Sequence, residues 1–332
     1  MSIVIVFPGQ GSQRTGMAQD FFEASPVARD VFEEASTALN MDVARLCFEE
    51  DDRLNLTEFT QPAILTAEIA MWRTLESEFG LKGAAFGGHS LGEYTALVAA
   101  EVIPLAQAVH IVQERGRRMQ EAVPAGVGTM AAIMQSDLSV SRLEACLSGL
   151  QVDIANHNAH NQVVISGEAT AVEMATERYR DRPEGMSAKV RMLSVSAPFH
   201  SRMMAPIEPG FASLLFDASQ EWSVEPSRCV TSNTSGRFHD GTREGLVDRL
   251  TRQISGTVRW VDNMVALCSL GPDRIIEVGP GRPLRGFFRG LGDGLGNATL
   301  DAITNLSSAR RALATPPVEP NPAPPHPAHH SA

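Results

Sequence analysis

From residue 88 the chain reads Gly88-His89-Ser90-Leu91-Gly92-Glu93-Tyr94. A serine with glycines two positions away on either side suits a strained strand-to-helix turn that pushes its hydroxyl outward. Ala84 to Gly87 is short, apolar and glycine-bounded, as the end of a buried strand should be. Leu91 to Ala100 is rich in Ala and Leu, as a helix start should be. The amide after the serine, that of Leu91, would then sit at a helix N-terminus, where negative charge is favoured. A weak alcohol gains a place to attack, and the charge it creates gains a place to rest. Glycine and serine also cluster in ordinary turns, so the neighbours of Ser90 must decide.

A serine nucleophile needs a base. His89 points away from Ser90 if the turn is as described. His200, in Ser196-Ala197-Pro198-Phe199-His200-Ser201, is better placed. It follows the last strand of a small unit, with Pro198 fixing the turn back towards a cleft between two units, where sites gather. A histidine there can equally be a satisfied core residue. The third piece is Phe7-Pro8-Gly9-Gln10-Gly11-Ser12-Gln13, a glycine-rich loop directly after the first strand. Its amides can approach a developing oxyanion. It lacks the lysine and the spacing of a phosphate-binding loop, which excludes nucleotide binding by that route.

These pieces need a scaffold. Ile3 to Phe7 is a β-branched run ended by Pro8-Gly9 and reads as a buried strand. Helical patterns are expected from Met17 to Leu39 and from Gln61 to Phe79. Another spans Pro104 to Val123, with Leu105, Val109, Val112, Gly116, Met119 and Val123 on one stripe. Gly116 in that stripe implies close approach to a neighbouring backbone, and Arg115 lies beside the stripe, near the interior. From Gly128 to Leu193 the order is strand, helix, strand, strand, helix, strand, with the first helix expected from Asp137 to Leu147. Short buried strands resume at Val230 to Asn233 and Arg274 to Val278.

The fold class expected is α/β: a large α/β-hydrolase-like domain with a parallel sheet, plus an inserted small ferredoxin-like subdomain. The large domain takes 1–127 and 194–290, the subdomain 128–193, and 291–332 form a C-terminal extension. From about residue 314 the extension is Pro-rich and expected to be disordered, because such composition cannot form a core. His326, His329 and His330 in it read as a bland tail rather than a metal site.

Composition narrows the classes. Of 332 residues, 43% are apolar and 20% charged, as in a globular enzyme. The net charge of −11 argues against nucleic acid as a main partner, since phosphate binding needs clustered Lys and Arg. No apolar run approaches a membrane span, and Met1 to Val6 does not read as a signal peptide. Cys47, Cys146, Cys229 and Cys268 are widely spaced, which points to reduced thiols in the cytoplasm and to no zinc site. Arg282, Arg285 and Arg289 form one local basic patch and Lys189 with Arg191 another; both read first as solvated surface. Nothing in the pattern asks for a second copy, so a monomer is expected.

Taken together, Phe7 to Gln13, Gly88 to Leu97, Gln113 to Gln120, Ser196 to His200, Gln253 with Val258-Arg259-Trp260, and Glu277 to Gly281 resemble the malonyl-CoA:acyl-carrier-protein transacylases. The broader family includes the acyltransferases that load polyketide synthases. The resemblance covers about residues 1 to 290. It implies that Ser90 is the nucleophile and His200 its base, oriented by the backbone carbonyl of Gln253. The oxyanion-hole amides would be those of Gln10 and Leu91. Arg115 would hold the free carboxylate of malonate, which a planar guanidinium grips with two parallel hydrogen bonds. Phe199, just before the base, matches the bulky residue of members that use malonyl rather than methylmalonyl units. Arg282 and Pro283 stand where an aliphatic pair is commoner in the family.

The implied partner is an acyl carrier protein, or carrier domains of a polyketide synthase, with no cofactor and no metal. Three other readings stand beside it. An α/β-hydrolase esterase shares Gly-x-Ser-x-Gly, but its histidine normally falls late, after an acidic residue. An acyl hydrolase of the same family would clear stalled acyl groups from carrier proteins, and such relatives typically lack the carboxylate-binding arginine. A non-catalytic docking module would bind carrier protein without ever being acylated.

Overall fold

The computed structural model describes residues 1–136, 138–182 and 187–314. It begins with β1 (Ile3–Phe7), whose five apolar side chains are all buried, as a strand covered on both faces requires. Helices α1 (Gln19–Ala24), α2 (Pro26–Leu39), α3 (Val43–Phe48) and α4 (Thr57–Phe79) follow, then β2 (Ala85–Gly88), α5 (Leu91–Ala99) and α6 (Leu105–Glu121). The single helical stretch expected from Met17 to Leu39 is in fact two helices. Ser25 is extended at the junction, its Oγ accepts the Ala28 N–H, and Pro26 opens α2.

The middle of the chain supplies β3 (Gly128–Met134), α7 (Val140–Leu147), β4 (Val152–Ala159), β5 (Gln162–Glu168), α8 (Ala169–Arg180) and β6 (Lys189–Met192). Their sheet runs β4-β5-β3-β6, with every pair antiparallel. With the order strand-helix-strand-strand-helix-strand, this is the ferredoxin-like arrangement. Asp137, where the first of its helices is expected to begin, lies outside the described residues, and α7 starts at Val140.

The chain then forms α9 (Glu208–Ala218), β7 (Thr231–Ser232), β8 (Arg237–Phe238), α10 (Arg243–Arg252) and α11 (Trp260–Cys268). It ends in β9 (Arg274–Val278), α12 (Pro283–Arg289), β10 (Thr299–Ile303) and α13 (Leu306–Ala314). The strand expected from Val230 to Asn233 is only two residues of β7, hairpinned with β8, while Val230 makes one parallel bridge to Phe86. The large sheet runs β10-β9-β1-β2 and is wholly parallel.

That sheet corrects the expected end of the large domain at residue 290. β10 pairs with β9 from Thr299↔Arg274 to Ile303↔Val278, so residues beyond 290 complete the large sheet rather than extend from it. As an edge strand, β10 is only partly buried and carries Asp301, which accepts from Arg274 Nη2 at 2.6 Å. Its sequence therefore lacks the continuous apolar run of a central strand. The Pro-rich segment and its three histidines at 315–332 lie outside the described residues.

Two contacts fix the frame of the site. The central helix α4 is buried along most of its length and packs on α6, where a Cβ on Gly116 would stand 2.4 Å from the Thr57 carbonyl oxygen. The small sheet is tied to the large unit through β4, since the Val258 N–H donates to the Ala155 carbonyl and the His157 N–H to that of Val258.

Candidate active site

Ser90 sits between β2 and α5 with φ 54° and ψ −102°, a conformation that L-residues hold only where the surroundings enforce it. The enforcement is steric. A Cβ on Gly88 would fall 1.9 Å from the backbone of Gly92, and one on Gly92 would fall 2.2 Å from the Phe7 oxygen, so neither position has room for a side chain. The turn is also bonded from outside, because the Ser90 N–H donates to Asn233 Oδ1 at 2.6 Å.

His200 meets Ser90 from the segment that follows β6, itself at φ 57°. Its Nδ1–H donates to the Gln253 carbonyl at 2.8 Å. That bond leaves Nε2 as an acceptor, 2.8 Å from Ser90 Oγ. The imidazole is 4% exposed. Burial first, and then the charge of Arg115, push its pKa down to about 3. A neutral imidazole with its free lone pair on a serine hydroxyl is a base ready to accept a proton.

Arg115 is the third member. Its side chain, 1% exposed, lies 5.5 Å over the Tyr94 ring. Nη1 donates to Gln61 Oε1 at 2.9 Å, and Nη2 to Gln253 Oε1 at 2.9 Å and to Ser90 Oγ at 3.0 Å. All three acceptors are neutral, and no described carboxylate forms an ion pair with it. Burial lowers its pKa, yet a guanidinium stays charged under such pressure. A buried cation hydrogen-bonded only to neutral oxygens can receive an anion.

Among the described residues, the backbone amides of Gln10 and Leu91 have no hydrogen-bond partner. One lies in the loop after β1 and the other opens α5, and β1 and β2 are paired neighbours through Phe7↔Gly88. The Gln10 side chain donates to Thr57 Oγ1 at 3.2 Å, and Thr57 meets Ser196 Oγ at the same distance. Phe199 is buried beside the base.

The structure thus gathers Ser90, His200, Gln253 and Arg115 into one hydrogen-bonded cluster. His89 is turned away, with Nε2 at 2.7 Å from Asn158 Oδ1, where β4 carries a register shift. Of the basic patches, Arg282 precedes α12 and Arg289 ends it, and Lys189 with Arg191 lies on β6, all four exposed. No group of His, Cys, Asp or Glu among the described residues could hold a metal ion. A cavity of about 460 Å³ lined by Leu147, Asp153, Ile154, Arg202 and Thr257 lies against the small sheet, apart from these residues.

Sequence reasoning passes over Asn233, Gln61 and Glu93. Glu93 is the one charged residue in the apolar run of α5, a signal that was present. Asn233 and Gln61 sit among other polar residues with nothing local to distinguish them.

The acyl transferase domain family matches residues 4–281. The chain is 36% identical over 311 residues to the malonyl CoA-acyl carrier protein transacylase of Escherichia coli (strain K12), covering 92% of this chain and 97% of that protein. It is 37% identical over 291 residues to the protein of the same name from Bacillus subtilis (strain 168), covering 86% and 89%. A solved malonyl-CoA:acyl carrier protein transacylase from Xanthomonas oryzae superposes with TM-score 0.86 at 35% identity, covering 95% of this chain and 99% of that one. A malonyl-transacylase solved in complex with its type II PKS acyl-carrier protein gives 0.85 at 34%, with coverage again 95% and 99%.

Proposed function

The chain belongs to the malonyl-CoA:acyl-carrier-protein transacylase family of acyl transferase domains, and we propose that its reaction runs through a malonyl ester on Ser90. The enzyme transfers malonyl from malonyl-CoA to the phosphopantetheine thiol of an acyl carrier protein. One observation carries the site assignment: the Arg115 guanidinium, buried without an anionic partner, touches Ser90 Oγ. In a malonyl ester on that oxygen, the free carboxylate is one methylene from the ester carbonyl, within reach of such a cation.

His200 takes the Ser90 proton on Nε2 as Oγ attacks the thioester carbonyl, and the amides of Gln10 and Leu91 receive the oxyanion. Collapse breaks the carbon–sulfur bond, and the proton passes from Nε2 to the departing coenzyme A thiolate. The carrier thiol then gives its proton to His200 and attacks the ester by the reverse path, restoring Ser90. The Gln253 carbonyl steadies the imidazolium while it exists. Every proton and electron pair is handled by these groups, so the scheme calls for no cofactor.

Phe199 is assigned to extender-unit selection, crowding an α-methyl group. The product feeds fatty acid or polyketide synthesis, and the carrier is a discrete protein or a carrier domain of a polyketide synthase. No described helix is long and apolar enough to cross a membrane, and the four cysteines are unpaired. We place the enzyme in the cytoplasm, as a monomer. Nothing in the site favours the acyl hydrolase alternative.

The test is intact-mass spectrometry after brief mixing with malonyl-CoA, acetyl-CoA and methylmalonyl-CoA together. A malonyl adduct on Ser90 that moves to carrier protein, and that Arg115→Ala loses in favour of acetyl, is the expected result. Loss of the acyl group to water without transfer would move the assignment to hydrolysis, and no adduct at all would move it to docking.

A further inference from the structure

Glu93 lies three residues past the nucleophile and is fully buried. A carboxylate is kept in such a place only by hydrogen bonds. Three donors meet it. Its Oε2 accepts from Gln253 Nε2 at 2.6 Å and from the Asn233 N–H at 2.9 Å, while Oε1 accepts from His239 Nε2 at 3.0 Å. On the other edge of that ring, Nδ1 accepts from Arg249 Nε at 3.2 Å. The ring proton is therefore on Nε2, and a neutral imidazole faces the carboxylate. Neither Glu93 nor His239 takes part in the bond-making steps.

What they control is the orientation of one amide. Gln253 Nε2 donates to Glu93 and also to the Ser90 carbonyl at 3.0 Å. With its nitrogen committed on that side, the amide can present only its oxygen to Arg115 Nη2. Reversal would set an N–H2 group against a guanidinium, donor against donor. The same carboxylate holds the backbone of Asn233, whose Oδ1 receives the Ser90 N–H.

We propose that Glu93, braced by His239, is a positioning residue for substrate selection: it fixes the Gln253 amide and thereby aims the Arg115 guanidinium at the substrate carboxylate. This rests on the assignment of Arg115 to the malonyl carboxylate. A merely structural buried charge would affect every acyl group alike, whereas a device acting through Arg115 affects malonyl above acetyl.

The experiment is competitive loading of malonyl-CoA against acetyl-CoA, read by intact mass, with KM and kcat for each. Glu93→Gln offers one oxygen to three donors, and its own N–H2 meets either Gln253 or His239 head-on. The malonyl-to-acetyl ratio should fall about tenfold, mainly through KM for malonyl-CoA, while acetyl loading falls by much less, through the Asn233 bond to the Ser90 turn. In an Arg115→Ala background the same change should leave the ratio where it is. His239→Gln, which keeps an N–H for Glu93 and an oxygen for Arg249, should retain the ratio that His239→Phe loses. That pair also carries the test if Glu93→Gln fails to fold. An unchanged ratio, equal losses for both acyl groups, an additive effect with Arg115→Ala, or identical behaviour of the two His239 variants would each overturn the proposal. Failure of the unmodified enzyme to load malonyl would instead overturn the functional reading beneath it.

Discussion

Arg115 Nη2 donates to Ser90 Oγ across 3.0 Å, so the residue we assign to the substrate carboxylate touches the residue we assign to carry the acyl group. On that assignment selection would be made at the reacting atom, from a helix packed against the same core as the Ser90 turn.

Arg115→Lys keeps a charge but loses the planar fork and the bonds to Gln61 and Gln253. Malonyl loading should fall about ten- to a hundredfold while acetyl loading changes little, as measured by kcat/KM for each thioester.

Two buried groups should set opposing slopes of stability against pH. His200 is held near 3 when folded against 6.5 ordinarily, so the unfolded chain binds more protons between those values and stability rises with pH across them. Burial pushes Glu277 up to about 7 from 4.5, so its contribution is full below 4.5 and lost as pH rises through 7. Thermal melts should therefore be flat below 4.5 and fall from 4.5 to 7 in His200→Gln, and rise up to 6.5 and stay flat above it in Glu277→Gln. In the free enzyme, the acid limb of kcat/KM belonging to His200 should lie near pH 3.

Gly116→Ala puts a methyl group into the Thr57 carbonyl. It should cost about 1–3 kcal/mol in a denaturant titration. Because Thr57 also holds Gln10, the surviving enzyme should show a slower acylation step in stopped-flow loading.

Phe199→Ser removes the ring next to the base. Methylmalonyl loading should rise about tenfold relative to malonyl in the three-thioester competition, without loss of the Ser90 adduct.

Much of this site is legible in the sequence because its signals are local. The glycines around Ser90 and in the Gln10 loop mark backbone that must bend or approach closely, and five apolar residues in a row mark β1. The helix stripe through Gly116 carries Arg115 to the interior. What escapes is made by distance or by edges. Glu93 takes its hydrogen bonds from residues 140, 146 and 160 positions away, so no window of sequence contains them together. β10 escapes because an edge strand is half polar. The break at Ser25 is written in a Ser-Pro pair, but the apolar period continues across it and reads as one helix.

The order of the large sheet also bears on how the chain reaches this shape. β1 is made first, yet its edge opposite β2 is covered only by β9, through pairs such as Ile3↔Arg274. A growing chain therefore carries an open apolar strand edge until nearly all of the described residues have been made, a stage at which such edges invite association. The antiparallel sheet has no such wait, since all its strands fall between Gly128 and Met192. Pulse-labelled amide exchange during refolding should find β3 and β5 protected before β1, and chaperone demand should fall on the first strand rather than on the middle of the chain.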